Sequence, residues 1–435
     1  MIFTIMFVAV CGLNAIAQPP NIARWSGGTA NTQSQGFNMG DPLKLTWGFA
    51  ALGTSINDSA FNGGFANAPN DLQTRLNTIY GNQATWQPLF QAAFDRWSAV
   101  SGVSFQMELA DDGMPYVINV NQSPAGELNT RADIRIGGKA LDGNSGVLAY
   151  NFFPEVGDMV IDTNDNFFDN TASNSAGLRF VIAHELGHAL GMSHVDSSDQ
   201  GFLLEPVIQN GFDGPAYHDI LVAQNGYGDA LEKSNGGLGN DVVGNATSLG
   251  TIVLGGSVSI GNDARNFLTN VNTTDFVSID NDSDTDYFSF NVNSACLVNI
   301  TLDSLGFTYN AGPQNGAQVS FNTTQRSDLR FSLFGTDGVS LLASVNAFGL
   351  GLTESLTGFN LGSAGTYFVR IQGTGNVDAS ALDTQFYGLK VDFITAVPEP
   401  SSLVLLSIVG GAAGVCRKLR KRRTVHCSGT ESIVS

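Results

Sequence analysis

The stretch VIAHELGHALGMSHVD, residues 181–196, decides how the rest of this chain is interpreted. In an α-helix, His184 and His188 lie one turn apart on the same face, so both imidazoles can reach one ion at about 2.0–2.1 Å. Glu185 stands about 100° further around the helix, beside the ion rather than among its ligands. A carboxylate in that place is suited to take a proton from metal-bound water.

A third histidine completes the pattern. A straight helix would carry His194 away, but Gly191 can adopt positive φ and turn the chain back toward the ion. Three neutral imidazoles leave a fourth coordination position open for water, which is typical of catalytic rather than structural zinc sites. The alternative is a core helix that happens to contain histidines. The chain has only five histidines, and three fall at these spacings, so we favour one zinc ion.

The residues HELGHALGMSH resemble the zinc signature of metzincin peptidases. Asp196 follows the last histidine by two positions, and an aspartate there is similar to the pattern of the matrixin branch. The resemblance extends upstream to LDGNSGVLAYNFFP (141–154) and GDMVIDTNDNFF (157–168), and it covers about 45–229. It implies an α+β catalytic domain that cleaves protein or peptide substrates. Glu185 would be the catalytic base, and the substrate would lie antiparallel to the GVLAY strand.

By position, the resemblance also implies calcium ligands at Asp162 and Asp165, with Asp142 as a further candidate. Hard cations prefer such oxygen ligands. The alternative interpretation is a solvated acidic turn, a common feature of loops.

The chain departs from the family pattern at several positions. Leu204 stands where a methionine would lie under the zinc, a swap that costs under ~1.5 kcal/mol where volume is conserved. Tyr150 and Val160 occupy places where animal matrixins hold a structural zinc, so one zinc is expected rather than two. After the predicted signal peptide, which contains Cys11, no cysteine precedes the catalytic region, so none could cap the zinc in the mature chain.

Composition along the chain predicts four segments. These are a signal peptide (1–17), a matrixin-like domain (40–229), an all-β sandwich domain (240–395) and a sorting signal (397–423). Glycine and asparagine concentrate between the two central segments, which marks a boundary. The predicted fold class is therefore multidomain, with an α+β metzincin-like catalytic domain followed by an all-β, jelly-roll-like sandwich.

The second region reads as short strands separated by Gly, Asn, Asp and Ser. DTDYFSFNV (284–292) and GTYFVRIQG (365–373) resemble the bacterial pre-peptidase C-terminal domain. The resemblance implies an accessory role, either in binding a substrate or surface or as a segment removed on maturation. Asp284 and Asp286 could bind calcium, but a polar turn before a strand is the preferred interpretation.

Both ends of the chain are interpreted as targeting segments. The first has an apolar core followed by Ala15-Ile16-Ala17, a small-x-small cleavage pattern. The second has Pro-Glu-Pro, then an uncharged run over 402–416 that would span about 22 Å as a helix, then a basic cluster. This order resembles the bacterial PEP-CTERM sorting signal. It implies export, transient inner-membrane anchoring, a sorting or processing enzyme as partner, and release to the cell surface or extracellular matrix. A plain membrane anchor is the alternative.

The net charge of −19 argues against nucleic acid as a partner. Of the four cysteines only Cys296 lies in the central body, so no disulfide framework is expected. The sequence thus predicts an exported zinc-dependent endopeptidase that hydrolyses extracellular proteins. The second hypothesis is a non-catalytic surface or matrix adhesion protein on a peptidase fold. Leu204 favours it, whereas Glu185 and the three histidines oppose it.

Overall fold

A computed structural model of the chain describes residues 22–30, 38–57, 59, 65–117, 124–199, 201–208, 214–375 and 382–394. The predicted signal peptide and sorting signal lie outside these residues. The sorting signal and the enzyme expected to process it therefore remain predictions from the sequence.

The first region is an α+β structure built on one five-stranded sheet. Its helices are α1 (Leu72–Tyr80), α2 (Gln83–Val100), α3 (Ala172–Ala189) and α4 (Tyr217–Tyr227). Its strands are β1 (Leu43–Phe49), β2 (Ser55–Asn57), β3 (Ala68–Pro69), β4 (Val103–Met107), β5 (Tyr116–Val117), β6 (Ile134–Lys139), β7 (Ala149–Asn151), β8 (Met159–Asp162) and β9 (Val195–Asp196). The main sheet has the order β4-β1-β6-β8-β7. Strand β7 is the last in this order and therefore forms an edge of the sheet. It pairs antiparallel with β8, whereas the other pairs in the sheet are parallel.

Helices α2 and α3 pack together in the core beside this sheet. The predicted apolar face of α2 is confirmed, and its members Leu89, Phe90, Ala93, Phe94 and Trp97 are all buried. The Trp97 indole N–H donates to the carbonyl of Ala183 on α3 at 2.9 Å, which fixes the two helices against each other. Residues 180–189 of α3 are buried on every side. A helix enclosed in this way holds its side chains rigidly, which suits a metal site.

The second region is a two-sheet β structure. Its strands are β10 (Thr247–Ile252), β11 (Ser257–Ile260), β12 (Val277–Ile279), β13 (Thr285–Val292), β14 (Cys296–Ser304), β15 (Thr308–Pro313), β16 (Val319–Asn322), β17 (Asp328–Phe334), β18 (Leu341–Val345), β19 (Glu354–Leu361), β20 (Gly365–Thr374) and β21 (Gln385–Ile394). One sheet has the order β10-β13-β20-β17-β18 and the other β11-β21-β14-β19, with β12 also paired to β21. Buried residues alternate along β14 and β20, and both sheets contribute to one apolar cluster. This is the arrangement expected of a β-sandwich.

The two regions share an apolar core. Tyr309, Ala311 and Phe321 of the second region belong to the same buried cluster as the zinc-motif helix. Strands β15 and β16 form a hairpin, and β15 pairs with β9, the strand that directly follows His194. The boundary in composition is therefore not a boundary in packing.

Among the described residues, no helix is both long and apolar enough to cross a bilayer. This finding contradicts the predicted membrane-anchored location. The two longest helices, α2 and α3, carry charged side chains such as Asp95 and Glu185 and pack into the protein core. The segment 397–423, on which the prediction rested, lies outside the described residues.

Candidate metal centre and active site

The zinc motif lies at the end of α3 and in the turn that follows. Helix α3 ends at Ala189, and Gly191 adopts φ 97° while its N–H donates to the carbonyl of His188 at 2.8 Å. A Cβ at position 191 would lie 1.9 Å from the carbonyl oxygen of Ala23. Only glycine fits both the backbone angle and this close approach. The turn then returns His194 toward the helix, as the sequence predicted.

The three histidines converge on one point. Their Nε2 atoms lie 3.1 Å apart for His184 and His194, 3.1 Å for His188 and His184, and 3.2 Å for His188 and His194. A tetrahedral zinc ion with Zn–N distances of about 2.0–2.1 Å holds its nitrogens roughly 3.3–3.4 Å apart. The ring nitrogens therefore fit a zinc ion with little adjustment.

The opposite nitrogen of each ring, Nδ1, faces an oxygen atom. The acceptors are Leu203 O at 2.7 Å for His184, Met192 O at 2.7 Å for His188, and Gln314 Oε1 at 2.9 Å for His194. These oxygens require a proton on Nδ1, which leaves the Nε2 lone pairs directed at the common point. The chemistry of the donor set thus fits a metal ion.

Burial keeps the three imidazoles neutral. Desolvation, with a smaller effect of His194, lowers the pKa of His184 to about 3. Desolvation likewise lowers the pKa of His188 well below its usual value and lowers that of His194. Neutral rings are the form that binds a metal.

Glu185 follows His184 on the buried part of α3. Its side chain is buried, and neither carboxylate oxygen has a hydrogen-bond partner among the described residues. Desolvation raises the pKa of Glu185 to about 8. A buried carboxylate without a partner, next in sequence to a histidine of the converging set, suits a general base, because a cation held by the histidines would favour its charged form.

Leu204, which was predicted to form a floor under the zinc, packs against the zinc-motif helix. A Cβ on Gly187, between the two helical histidines, would lie 2.8 Å from Leu204 Cδ2. The floor is fixed by a residue that sequence reasoning missed. The buried carboxylate of Asp219 accepts from the N–H groups of Leu203 and Leu204 at 2.8 and 3.2 Å. Its position in the first turn of α4 was the available signal, since acids are common there.

The three predicted calcium ligands lie in neighbouring turns. Each carboxylate accepts backbone N–H groups, from Leu141 and Gly143 for Asp162 and from Val147 for Asp142. Asp165 accepts from the N–H at the start of the following 3-10 turn. Backbone partners account for these side chains, and calcium binding at this place stays a prediction.

A different acidic group gathers at the junction of the two regions. Carboxylate oxygens of Glu232, Asp284 and Asp286 lie within 4.8 Å of one another. Burial, with repulsion from Asp229 and Asp241, raises the pKa of Asp284 to about 7. Burial, with repulsion from Asp284, raises the pKa of Asp286 well above its usual value. Glu232 lies 52 residues before Asp284, so this group could not be assembled from local sequence. Its oxygen ligands are of the kind that Ca²⁺ prefers.

Comparison with known proteins places the motif in a family context. The matrixin family model matches residues 72–228, which include the whole zinc motif. Metalloendoproteinase 4-MMP of Arabidopsis thaliana is 34% identical over 123 residues, covering 26% of this chain and 31% of that protein. Hatching enzyme of Paracentrotus lividus is 33% identical over 136 residues, covering 29% of this chain and 20% of that protein.

Interstitial collagenase B of Mus musculus is 30% identical over 132 residues, covering 30% of this chain and 25% of that protein. The chain thus spans less than a third of the length of these relatives. The solved pre-peptidase C-terminal domain of a Bacillus anthracis collagenase covers 34% of this chain and 94% of its own, at 16% identity and a TM-score of 0.20. That score is too low to identify the second region. The family match and the relatives support a matrixin-like metallopeptidase in the region that carries the three histidines.

Proposed function

We propose that this chain is an exported zinc-dependent endopeptidase that hydrolyses peptide bonds in extracellular proteins. The observation that carries the proposal is the convergence of three Nε2 atoms, 3.1–3.2 Å apart, at the end of a helix that also carries the buried, unpartnered carboxylate of Glu185. Export follows from the pattern of residues 1–17, and protein substrates follow from the peptidase family.

His184, His188 and His194 would hold the metal through Nε2, and Glu185 would move the proton. The ion would supply Lewis-acid polarisation of the peptide carbonyl and would make water at the site more acidic. The Glu185 carboxylate accepts a proton from the attacking water and then passes it to the leaving amine. The enclosed site strengthens these charge interactions because little bulk water competes with them.

Strand β7 is the proposed docking edge for the substrate. It is the last strand of the main sheet, and it pairs with β8 on one side only. An extended peptide can add to such an edge through main-chain hydrogen bonds. Tyr150 and Val160, in β7 and β8, pack into a small apolar cluster. This packing supports a single zinc ion, because apolar side chains take the places of further ligands.

Calcium is the second proposed ion. The acidic turns around Asp162 are one candidate place for it, and the junction group of Glu232, Asp284 and Asp286 is the other. The junction group has the stronger support, since one oxygen each of Glu232 and Asp286 is buried without a partner among the described residues.

The test is cleavage of denatured casein by the purified chain, together with its zinc content. We expect one zinc per chain and cleavage that a chelator abolishes and added zinc restores. Glu185→Gln should retain the zinc and lose about 10²–10⁴-fold in turnover. Glu127→Gln is the matched control, because Glu127 lies on the surface and its side chain is 63% exposed.

Two results would decide against the proposal. Zinc binding without any casein cleavage would favour the adhesion protein built on a peptidase fold. Full cleavage by the Glu185→Gln chain would show that another group is the base.

A further inference from the structure

We propose that Gln314, in the loop that joins β15 to β16, positions the third metal ligand, so that the metal centre is completed by the second region of the chain. The inference rests on the proposed zinc binding. It assigns a role in that site to a residue outside the matched family segment, which ends at residue 228.

The three ligand rings are supported in two different ways. His184 and His188 each donate Nδ1–H to a main-chain carbonyl of the first region, at 2.7 Å. His194 instead faces the side-chain oxygen of Gln314 at 2.9 Å, across 120 residues of sequence. A main-chain carbonyl is fixed by the fold around it. A glutamine side chain can serve equally well only if its own loop is held in place.

Hydrogen bonds hold that loop against the zinc turn. Strand β15 pairs antiparallel with β9, placing Pro313 opposite Val195 and Gly312 opposite Asp196. The N–H of Asn315 donates to the Asp196 carboxylate at 2.6 Å, and the N–H of Ser198 donates to Gln318 Oε1 at 2.9 Å. Both residues next to Gln314 in sequence are therefore tied to the strand that follows His194.

Apolar packing anchors the base of the same hairpin. Tyr309 and Ala311 of β15 are buried in the shared core. The Tyr309 hydroxyl and the Nδ1 atom of His218 on α4 are 2.8 Å apart. On the same helix, the Tyr217 hydroxyl lies 3.0 Å from Thr323 Oγ1, just after β16. The hairpin is thus fastened at both ends, and its loop has a defined position.

The chemical consequence concerns the orientation and tautomer of one ring. With an oxygen at Nδ1, His194 keeps its proton there and directs the Nε2 lone pair at the ion. Without that oxygen the Nδ1–H group loses its partner in a largely buried place, and the ring is free to rotate or to shift its proton. Loss of such a supporting group typically weakens metal affinity by 10–100-fold.

The experiment measures zinc affinity directly, by competition with a chromogenic chelator, in the full chain and in three variants. Gln314→Leu removes the acceptor at similar volume, and we expect zinc to bind about 10–100-fold more weakly. Gln314→Glu keeps an oxygen at the same reach, and we expect affinity within about threefold of the parent or tighter, since a carboxylate is a common partner of a metal-bound histidine. Gln318→Leu is the matched control, because it removes a hydrogen bond of the same loop without touching His194.

A spectroscopic readout separates ligand geometry from folding. With Co²⁺ in place of zinc, the parent chain and the Glu variant should share one visible spectrum, whereas the Leu variant should differ. Thermal unfolding of the metal-free chains checks that the Leu variant is folded. If it is not, Gln314→Asn, which keeps the amide but shortens its reach, takes its place with the same expected loss.

Equal zinc affinity in the parent and Gln314→Leu chains would overturn the proposal. So would an equal loss in Gln314→Leu and Gln318→Leu, because that result assigns the effect to docking of the loop rather than to the acceptor. A parent chain that binds no zinc refutes the proposed function itself, and the affinity measurement distinguishes that failure from the others.

Discussion

Replacing Glu185 by glutamine should make the metal-free protein more stable while it abolishes the proposed peptidase activity. The carboxylate is buried without a hydrogen-bond partner among the described residues, and desolvation raises its pKa from 4.5 to about 8. A raised carboxyl pKa means that the folded state favours the protonated form. Stability is then lost as the pH rises from the unfolded value toward the folded value.

The magnitude follows from that shift. Each pKa unit corresponds to about 1.4 kcal/mol, so ionisation of Glu185 should cost about 3–4 kcal/mol of unfolding free energy between pH 5 and pH 8. Glutamine has nearly the same shape and does not titrate. Single domains have stabilities of roughly 5–15 kcal/mol, so this difference is readily measured.

The assay is urea unfolding of the parent and Glu185→Gln chains with chelator present, at pH 5, 6, 7 and 8. Other titrating groups are common to both proteins and cancel in the difference. We expect the variant's advantage to grow by about 3–4 kcal/mol over this range and to shrink once zinc is added, because the ion favours the charged carboxylate. An advantage that stays constant from pH 5 to pH 8 would refute the account of Glu185 as a desolvated, unpartnered base.

Three further predictions concern the floor, the acidic junction and the shared core. Gly187→Ala should lower the free energy of urea unfolding by about 1–3 kcal/mol, because the added Cβ would clash with Leu204. Adding Leu204→Val should recover part of this loss, and no recovery would show that the clash involves another residue. Asp286→Asn should raise the melting temperature of the calcium-free chain by several degrees at pH 8 but not at pH 4, since the raised pKa of this acid makes its charged form destabilising. Calcium should raise the melting temperature of the parent more than that of the variant, and equal shifts would argue against an ion at this group. Tyr309→Phe should lower the unfolding free energy by about 1–2 kcal/mol, because it removes the hydroxyl that faces buried His218. The unfolding transitions followed by tryptophan fluorescence (first region) and by labelling of Cys296 (second region) should move together. Separate transitions would show that the two regions unfold independently.

The three-histidine group could be predicted because it is local. His184 and His188 are related by one helical turn, so their common face follows from the period of the α-helix. Gly191 was predicted to turn the chain, and the structure shows positive φ and a space that no Cβ could enter. Leu204 was placed under the zinc by resemblance to the metzincin pattern, and it lies against the helix at Gly187.

The remaining parts of the site depend on contacts that sequence spacing does not encode. Gln314 lies in a loop whose glycine and asparagine indicated only a turn, and its role depends on how β15 pairs with β9. Glu232 falls between the two predicted domains, yet it lies close to Asp284 and Asp286. Composition marked the change from mixed to all-β sequence, but it carried no information about packing between the two parts.

The separation of His194 and Gln314 in sequence has a consequence for synthesis. The two residues are 120 positions apart, and a ribosome adds about 5–20 residues per second, so roughly 6–24 s pass between them. During that interval the nascent chain holds all three histidines and Glu185, but Gln314 has not yet been made. The proposed metal centre is therefore completed only when about half of the second region has been synthesised, so the order of synthesis delays its full affinity for zinc.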